Sequence, residues 1–156
     1  MQQATFGAGC FWGVQYTFDQ MKGVTKTTVG YMGGSTDNPS YEEVCSDKTG
    51  HAEVVHIEFD ETRISYEELL TIFWKIHDPT QKNRQGLDVG SQYRSVIFYH
   101  SEKQRSEAVK SKEELDKSGK YKRPIVTEIV AASKFYPAEN YHQNYFEKHG
   151  ATGCPV

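Results

Sequence analysis

The chain has 156 residues, carries 18 basic and 21 acidic side chains for a net charge of −3, and is 13% aromatic. That length suits one compact domain able to bury a core without disulfide staples, and the lack of any basic run or stripe excludes an electrostatic grip on nucleic acid. No apolar run is long enough to span a bilayer, and no Arg/Lys-led apolar stretch opens the chain as a secretory signal would, so a cytoplasmic protein with no membrane partner is expected.

The elements alternate between strand-like and helix-like runs. Ala4–Ala8 reads as a first strand, and Phe11–Met21 as a helix with Phe11, Val14, Phe18 and Met21 on one face. Thr25–Tyr31 is a second strand, followed by a Gly-, Ser-, Asn-, Asp- and Pro-rich loop over Gly33–Gly50. Ala52–Phe59 alternates as a third strand. Ser65–Glu68 has the form of a capping box and opens a helix to about His77, with Leu69, Ile72, Phe73 and Ile76 on its apolar face. Asp78–Gln92 is a second long polar loop, and Arg94–Tyr99 a fourth strand. Ser101–Gln104 caps a charged helix ending near Gly119, and Ile125–Ala131 is a fifth strand. An aromatic-rich tail then ends in Gly153, Cys154, Pro155 and Val156.

Strand, helix, strand, strand, helix, strand is the order of a split βαβ unit. The expected class is α+β: a ferredoxin-like two-layer sandwich of helices packed on a mostly antiparallel sheet. Two loops of this length without structure of their own mark functional segments. Residues 1–156 are read as one domain with a mobile tail from about residue 146.

Three cysteines, Cys10, Cys45 and Cys154, are an odd number without a C-x-x-C pair. That argues against a secreted disulfide framework, a zinc site or a thioredoxin-like motif. Cys10 stands between Gly9 and the Phe11–Trp12–Gly13 run, where a strand gives way to a helix. Unpaired N–H groups and a partial positive charge at a helix start stabilise a thiolate, so its pKa is expected to fall and the thiol to react. The flanking glycines permit a tight turn and the close approach of a substrate.

By period-2 alternation Glu53 shares a face with Val55, Ile57 and Phe59, so it is either a carboxyl aimed at the core or a solvated group at a fraying strand end. A desolvated carboxyl holds its proton towards neutrality and can serve as a general acid. Tyr41, Asp88 and Tyr93 lie in or beside the two long loops, as hydrogen-bonding groups or as ordinary loop residues. Phe11 and Trp12 form either an apolar wall beside Cys10 or plain core. Cys45 reads as a small buried structural thiol. Cys154, near the chain end between Gly153 and Pro155, is either incidental or a thiol that can reach an oxidised sulfur.

At these residues the chain resembles the peptide methionine sulfoxide reductase A family. The resemblance runs from Gly9 to the tail. It is carried by GCFWG at Gly9–Gly13, VGYMGG at Val29–Gly34, YEEVCSDKTGHAEVV at Tyr41–Val55, QGLDVGSQYRS at Gln85–Ser95 and FYPAENYHQNY at Phe135–Tyr145. It implies that Cys10 is the nucleophile, Glu53 the acid that protonates the sulfoxide oxygen, Tyr41 and Tyr93 hydrogen-bonding partners, and Asp88 a supporting carboxylate. It implies a pocket for the substrate methyl at Phe11 and Trp12, and Cys154 as the resolving thiol. Leu87 stands where the family often has Asn, and Asp47 where it often has Gly.

The activity implied is reduction of the S epimer of methionine sulfoxide, in oxidised proteins or peptides, through a sulfenic acid and a disulfide. Thioredoxin is the implied dithiol reductant, and no metal or organic cofactor is required. A cysteine hydrolase is the first alternative. It needs a His base, for which His51, His56, His77 and His142 are available, but no hydrolase signature surrounds Cys10. A non-catalytic interaction domain is the second, and it leaves Cys10 and Cys154 without a role.

Overall fold

The computed structural model describes residues 1–145. The expected mobile tail and Cys154 lie outside the described residues.

Strand β1 (Gln2–Ala8) begins before its apolar run does, because Gln2 and Gln3 pair through their backbones with Phe59 and Glu58 although both side chains are exposed. Helix α1 (Phe11–Asp19) buries Phe11, Val14 and Phe18 as their spacing requires, and it also buries Gln15, whose amide donates to the Thr27 hydroxyl and carbonyl. It stops two residues short of the expected end, with Met21 packed against the core just beyond it. Strands β2 (Val24–Met32) and β3 (Ala52–Phe59) follow.

The loop between them is not structureless. It holds helix α2 (Tyr41–Cys45), started by a capping box in which the Glu43 amide donates to Ser40 Oγ and the Ser40 amide to the Glu43 carboxylate. Helix α3 (Tyr66–Lys75) starts at the predicted Ser65–Glu68 box. Its buried face is rotated from the expected one to Tyr66, Leu69, Leu70, Phe73 and Trp74, with Ile72 and Ile76 only partly buried. Helix α4 (Glu102–Lys117) lies alongside and takes the Trp74 indole N–H on Ser111 Oγ at 2.7 Å, which draws that flank inward.

The second long loop also has structure. Short strands β4 (Arg84–Gln85) and β5 (Asp88–Val89) pair across a two-residue turn opened by Gly86 at φ +60°, and a 3-10 turn spans Ser91–Tyr93. A glycine at the first turn position is what such hairpins favour. Strand β6 (Ser95–Tyr99) leads into α4, where Ser101 Oγ accepts the Gln104 amide. The reciprocal half of that box is absent. Gln104 Oε1 accepts the His100 amide instead, and its Nε2 donates to the Gln3 carbonyl, tying α4 to β1.

The fifth predicted strand is shortened to β7 (Glu128–Ala131). The Ile125 amide goes to the Asp116 carboxylate and the Val126 amide to the Pro79 carbonyl, so the first half of that run never joins the ladder. A last short strand, β8 (Tyr136–Pro137), precedes a 3-10 turn at Asn140–His142.

The larger sheet runs β7-β6-β1-β3-β2-β8, antiparallel throughout except for the parallel β6–β7 pair. The class is therefore α+β with a mostly antiparallel sheet. One face carries the main core, in which Phe6, Ile57 and Ile97 meet Phe18 of α1, Phe73 of α3 and Ala108 of α4. Each large apolar side chain buried there contributes roughly 1.5–3 kcal/mol. The other face has a smaller cluster of Met32, Ala52, Val54, Val96 and Phe98, packed by Ala132 and Phe135. Because β1 and β2 both run antiparallel to β3, the C-terminal ends of β1 and β2 and the N-terminal ends of β3 and β6 meet at one edge.

Candidate active site

Cys10 leaves β1 at that edge and is the N-cap residue of α1, half-buried. The turn depends on Gly9 at φ +92°, where a Cβ would come within 2.9 Å of Gln85 Cγ. It is the second long loop, not a substrate, that approaches this glycine so closely.

Glu53 is 1% exposed and stands on the face of Val55, Ile57 and Phe59, so the alternation is correct and the fraying-end reading is excluded. It lies directly across the ladder from Tyr31. A buried carboxyl needs donors. Here the Phe11 amide, one of the orphan donors of the α1 start, donates to Glu53 Oε1 at 3.3 Å.

Tyr41 begins α2 and Tyr93 ends the 3-10 turn before β6, so the two long loops each deliver one phenol to this edge. Burial pushes the Tyr41 phenol far above its ordinary range, and negative charge on Glu53 and Cys45 adds to this. Tyr93 is raised for the same first reason, then by Glu53, Cys45, Asp88 and Cys10. Both phenols therefore stay protonated and can donate. Asp88, on β5, has its carboxyl raised by burial. Asp47 holds the two loops together: it sits at φ +61° and its carboxylate accepts both the amide and the hydroxyl of Ser91. Leu87, the other departure from the family pattern, is 72% exposed in the hairpin turn.

The expectation for Cys45 is corrected. It is exposed, not buried, and stands one helical turn after Tyr41, near enough to the Tyr41 and Tyr93 phenols for both to act on its thiol. Spacing of i, i+4 on α2 brings it there. Burial of its sulfur pushes the thiol up, the two phenols pull it down, and Glu53 pushes it up again.

Phe11 is 1% exposed, with its ring 5.8 Å from Tyr31 and 6.3 Å from Tyr41, so it belongs to the core as well as to the site. Trp12 is half-buried. Its ring stacks on Tyr145 at 3.9 Å and 10°, and its indole N–H donates to His142 Nδ1 at 3.0 Å.

Three further residues join the site without a role read for them there from the sequence, where His142 was named only as an available base. Tyr31 is fully buried and donates its hydroxyl to Glu139 Oε1 at 3.1 Å. Glu139 accepts the Tyr41 amide on Oε2 at 3.0 Å, and that amide, burial notwithstanding, helps hold its carboxyl below the usual range. His142 is 2% exposed, with ring centroids 4.3 Å from Tyr41 and 5.5 Å from Phe11. Alternation on β2 sets Tyr31 on the face of Val29 and could have flagged it, but nothing in the spacing of the last segment marks Glu139 or His142. Among the described residues no group of three or more His, Cys, Asp or Glu side chains could hold a metal ion. No helix among them is long and apolar enough to cross a membrane.

Fold and site together define an α+β protein with a thiol at a helix start, set beside a buried carboxyl and two protonated phenols. A sequence model described as peptide methionine sulfoxide reductase matches residues 2–156, and the chain belongs to that family. It is 62% identical over 150 residues to peptide methionine sulfoxide reductase MsrA of Methanosarcina acetivorans, covering 96% of this chain and 80% of the relative. Among solved structures, the reduced form of Mxr1 from Saccharomyces cerevisiae superposes with a TM-score of 0.90 at 37% identity, covering 99% of this chain and 89% of that one. Mxr1 in complex with Trx2 superposes with a TM-score of 0.66 at 25% identity, covering 99% and 86%.

Proposed function

We propose that this chain reduces the S epimer of methionine sulfoxide in oxidised proteins and peptides, with Cys10 as nucleophile. The observation that carries the reading is the hydrogen bond between the residue after Cys10 and the buried Glu53. It sets a thiol and an acid side by side, with two phenol donors facing them.

In the first step the Cys10 thiolate, favoured by the helix start, attacks the sulfoxide sulfur. Glu53 gives its proton to the sulfoxide oxygen, and Tyr41 and Tyr93 donate hydrogen bonds to it as its charge grows. Asp88 supports Tyr93. Phe11 and Trp12 hold the substrate methyl. The sulfur–oxygen bond breaks with loss of the protonated oxygen, hydroxide or water then attacks the Cys10 sulfur, and the Cys10–methionine sulfur–sulfur bond breaks, so methionine leaves reduced by two electrons and Cys10 is left oxidised by two as a sulfenic acid. The Cys154 thiol then condenses with it, releasing water and forming a disulfide. Thioredoxin, as the external dithiol, exchanges with that disulfide, takes up the oxidation and returns both thiols. Support for this partner is the Mxr1–Trx2 complex. The chemistry needs no metal or organic cofactor.

This reading takes residues 1–156 as one catalytic domain working in the reducing cytoplasm. Its scaffold is read as ferredoxin-like, on the support of the β6-β1-β3-β2 order at the centre of the sheet and the crossovers through α1 and α3. The test is Cys10→Ser. Methionine release should vanish with thioredoxin and with a small dithiol alike, and turnover persisting with either reductant overturns the nucleophile assignment.

A further inference from the structure

We infer that the cleft between the starts of α3 and α4 is a second binding site, which takes the ammonium group of an aliphatic amine. It lies where β1 begins and β3 ends, at the edge of the sheet opposite to the one that holds Cys10. It is independent of the sulfoxide chemistry.

The cleft encloses about 600 Å³. Phe59, 1% exposed at the end of β3, and Tyr66, the first residue of α3, give it an apolar floor. The Tyr66 ring stacks on Phe6 of the core at 6.0 Å and 29°, which fixes the side chain. Tyr66 is 7% exposed, and its buried hydroxyl has no hydrogen-bond partner among the described residues. Native chains pair almost all such atoms, so one left over at the wall of a cleft points to a group that enters from outside.

The charges around the cleft say which group. Three carboxylates, Glu61, Glu67 and Glu107, line it against one ammonium, Lys103. Among the described residues none of the three is in an ion pair. Burial holds the Glu107 carboxyl above its ordinary range and the Glu67 charge adds to this, with Lys103 opposing. Burial, and then the Glu107 charge, push the Tyr66 phenol up as well, so it stays protonated. Its oxygen still has lone pairs with which to accept.

An anion does not fit. The helix starts that would draw one are taken by their own caps: Ser65 Oγ accepts the Glu68 amide, the Ser65 amide goes to the Glu68 carboxylate, and Ser101 Oγ accepts the Gln104 amide. A bare metal ion does not fit either, since among the described residues no three carboxylate, thiol or imidazole groups converge as ligands. An ammonium has three donors and no acceptor. It meets the Tyr66 oxygen and the Glu67 and Glu107 carboxylates, while its alkyl chain lies on the Phe59 and Tyr66 rings.

Two sources share this chemistry, a free diamine and the lysine side chain of a peptide. The probes are cadaverine and N-acetyl-lysine amide, titrated by calorimetry into the whole protein, with hexanoate as a chain of opposite charge. At least one amine should bind with a Kd of about 1 mM or tighter, and hexanoate should not. Tighter binding of cadaverine assigns the site to free diamines, and tighter binding of the lysine amide assigns it to a protein side chain. Backbone amide shifts should concentrate at Tyr66, Glu67 and Glu107. Tyr66→Phe removes only the unpaired hydroxyl, and Glu107→Gln only a charge. Each should weaken binding by about tenfold, the loss of one charge-assisted hydrogen bond. Without ligand, Tyr66→Phe should unfold at the same temperature as wild type or higher, because no bond is lost. A lower unfolding temperature means that the hydroxyl already has its partner, and it overturns the inference. So does the failure of both amines to bind at about 10 mM, or binding that neither substitution weakens.

Discussion

The Phe11 amide donates to Glu53 Oε1 at 3.3 Å, which sets the carboxyl one peptide away from the Cys10 thiol and makes it the partner of the α1 start. One side chain therefore serves both the helix and the site, and a substitution can separate the two roles.

Glu53→Gln keeps a carbonyl oxygen for the Phe11 amide and has no carboxylic proton to give. The expected outcome is methionine release in a single turnover slowed by about a hundredfold or more, with the unfolding midpoint little changed and Cys10 still reactive towards a thiol probe. An unchanged single-turnover rate at neutral pH removes Glu53 from the chemistry.

Cys45 stands near both phenols that would meet the sulfoxide oxygen, and both lower the pKa of its thiol. Cys45→Ser keeps a polar partner for them and should leave turnover close to wild type with either reductant. Cys45→Val removes that partner at similar volume, and loss of one hydrogen bond of about 1 kcal/mol corresponds to roughly a fivefold slower sulfoxide step. Equal rates in the two variants show that the thiol does not orient the phenols. Collapse of thioredoxin-coupled turnover in Cys45→Ser would instead make it a member of the thiol relay.

The strands and helices of the frame were legible because burial repeats along them: Val55, Ile57 and Phe59 point inward at every second residue, and Phe11, Val14 and Phe18 at helical spacing. The same alternation exposed Glu53 as a polar residue on an apolar face. Helix α2 was also written in the chain, since Ser40 and Glu43 repeat the box of Ser65 and Glu68, but the surrounding glycines, Asn38 and Pro39 read as loop. Read as loop, this stretch makes Cys45 a small buried thiol, whereas the helix makes it a neighbour of Tyr41. The hairpin at Gly86 was hidden because its strands are two residues each, too short for alternation to register. Glu139 and His142 were beyond sequence reasoning for a different reason. Their partners, Tyr31, Tyr41 and Trp12, are 98 to 130 residues away, so only the docking of the last segment on β2 and α1 creates the contacts.

Cys154, outside the described residues, is expected to resolve the Cys10 sulfenic acid. Cys154→Ser should release one methionine per chain and then stall when thioredoxin is the only reductant, while a small dithiol that attacks Cys10 directly restores turnover. Mass analysis of the wild-type chain after one sulfoxide equivalent should find a Cys10–Cys154 bridge. Recycling of the variant by thioredoxin at the wild-type rate makes Cys154 a bystander.

A last prediction concerns stability against acid. His77 donates from Nδ1 to the Phe73 carbonyl at 2.7 Å, and its Nε2 lies 2.7 Å from Ser95 Oγ, which in turn is 2.7 Å from the Thr127 hydroxyl. Burial lowers this imidazole from the ordinary 6.5 to about 4, although the Phe73 carbonyl and Asp78 oppose the shift. Above pH 6.5 both folded and unfolded chains hold it neutral, and it contributes no pH dependence. As pH falls from 6.5 towards 4, the unfolded chain takes up a proton that the folded chain refuses, so stability declines across that window and levels off below it. A shift of that size corresponds to at most about 3 kcal/mol, an upper bound because the residue is partly exposed. His56, His100 and His142 are also lowered by burial and act in the same direction, so the wild-type profile alone does not isolate His77. The difference between wild type and His77→Gln does. Urea midpoints taken at pH 7 and pH 4.5 should fall further in wild type than in the variant, by up to about 2 kcal/mol when converted through the urea slope. Parallel profiles would mean that the buried imidazole accepts its proton as readily in the folded chain as in the unfolded one.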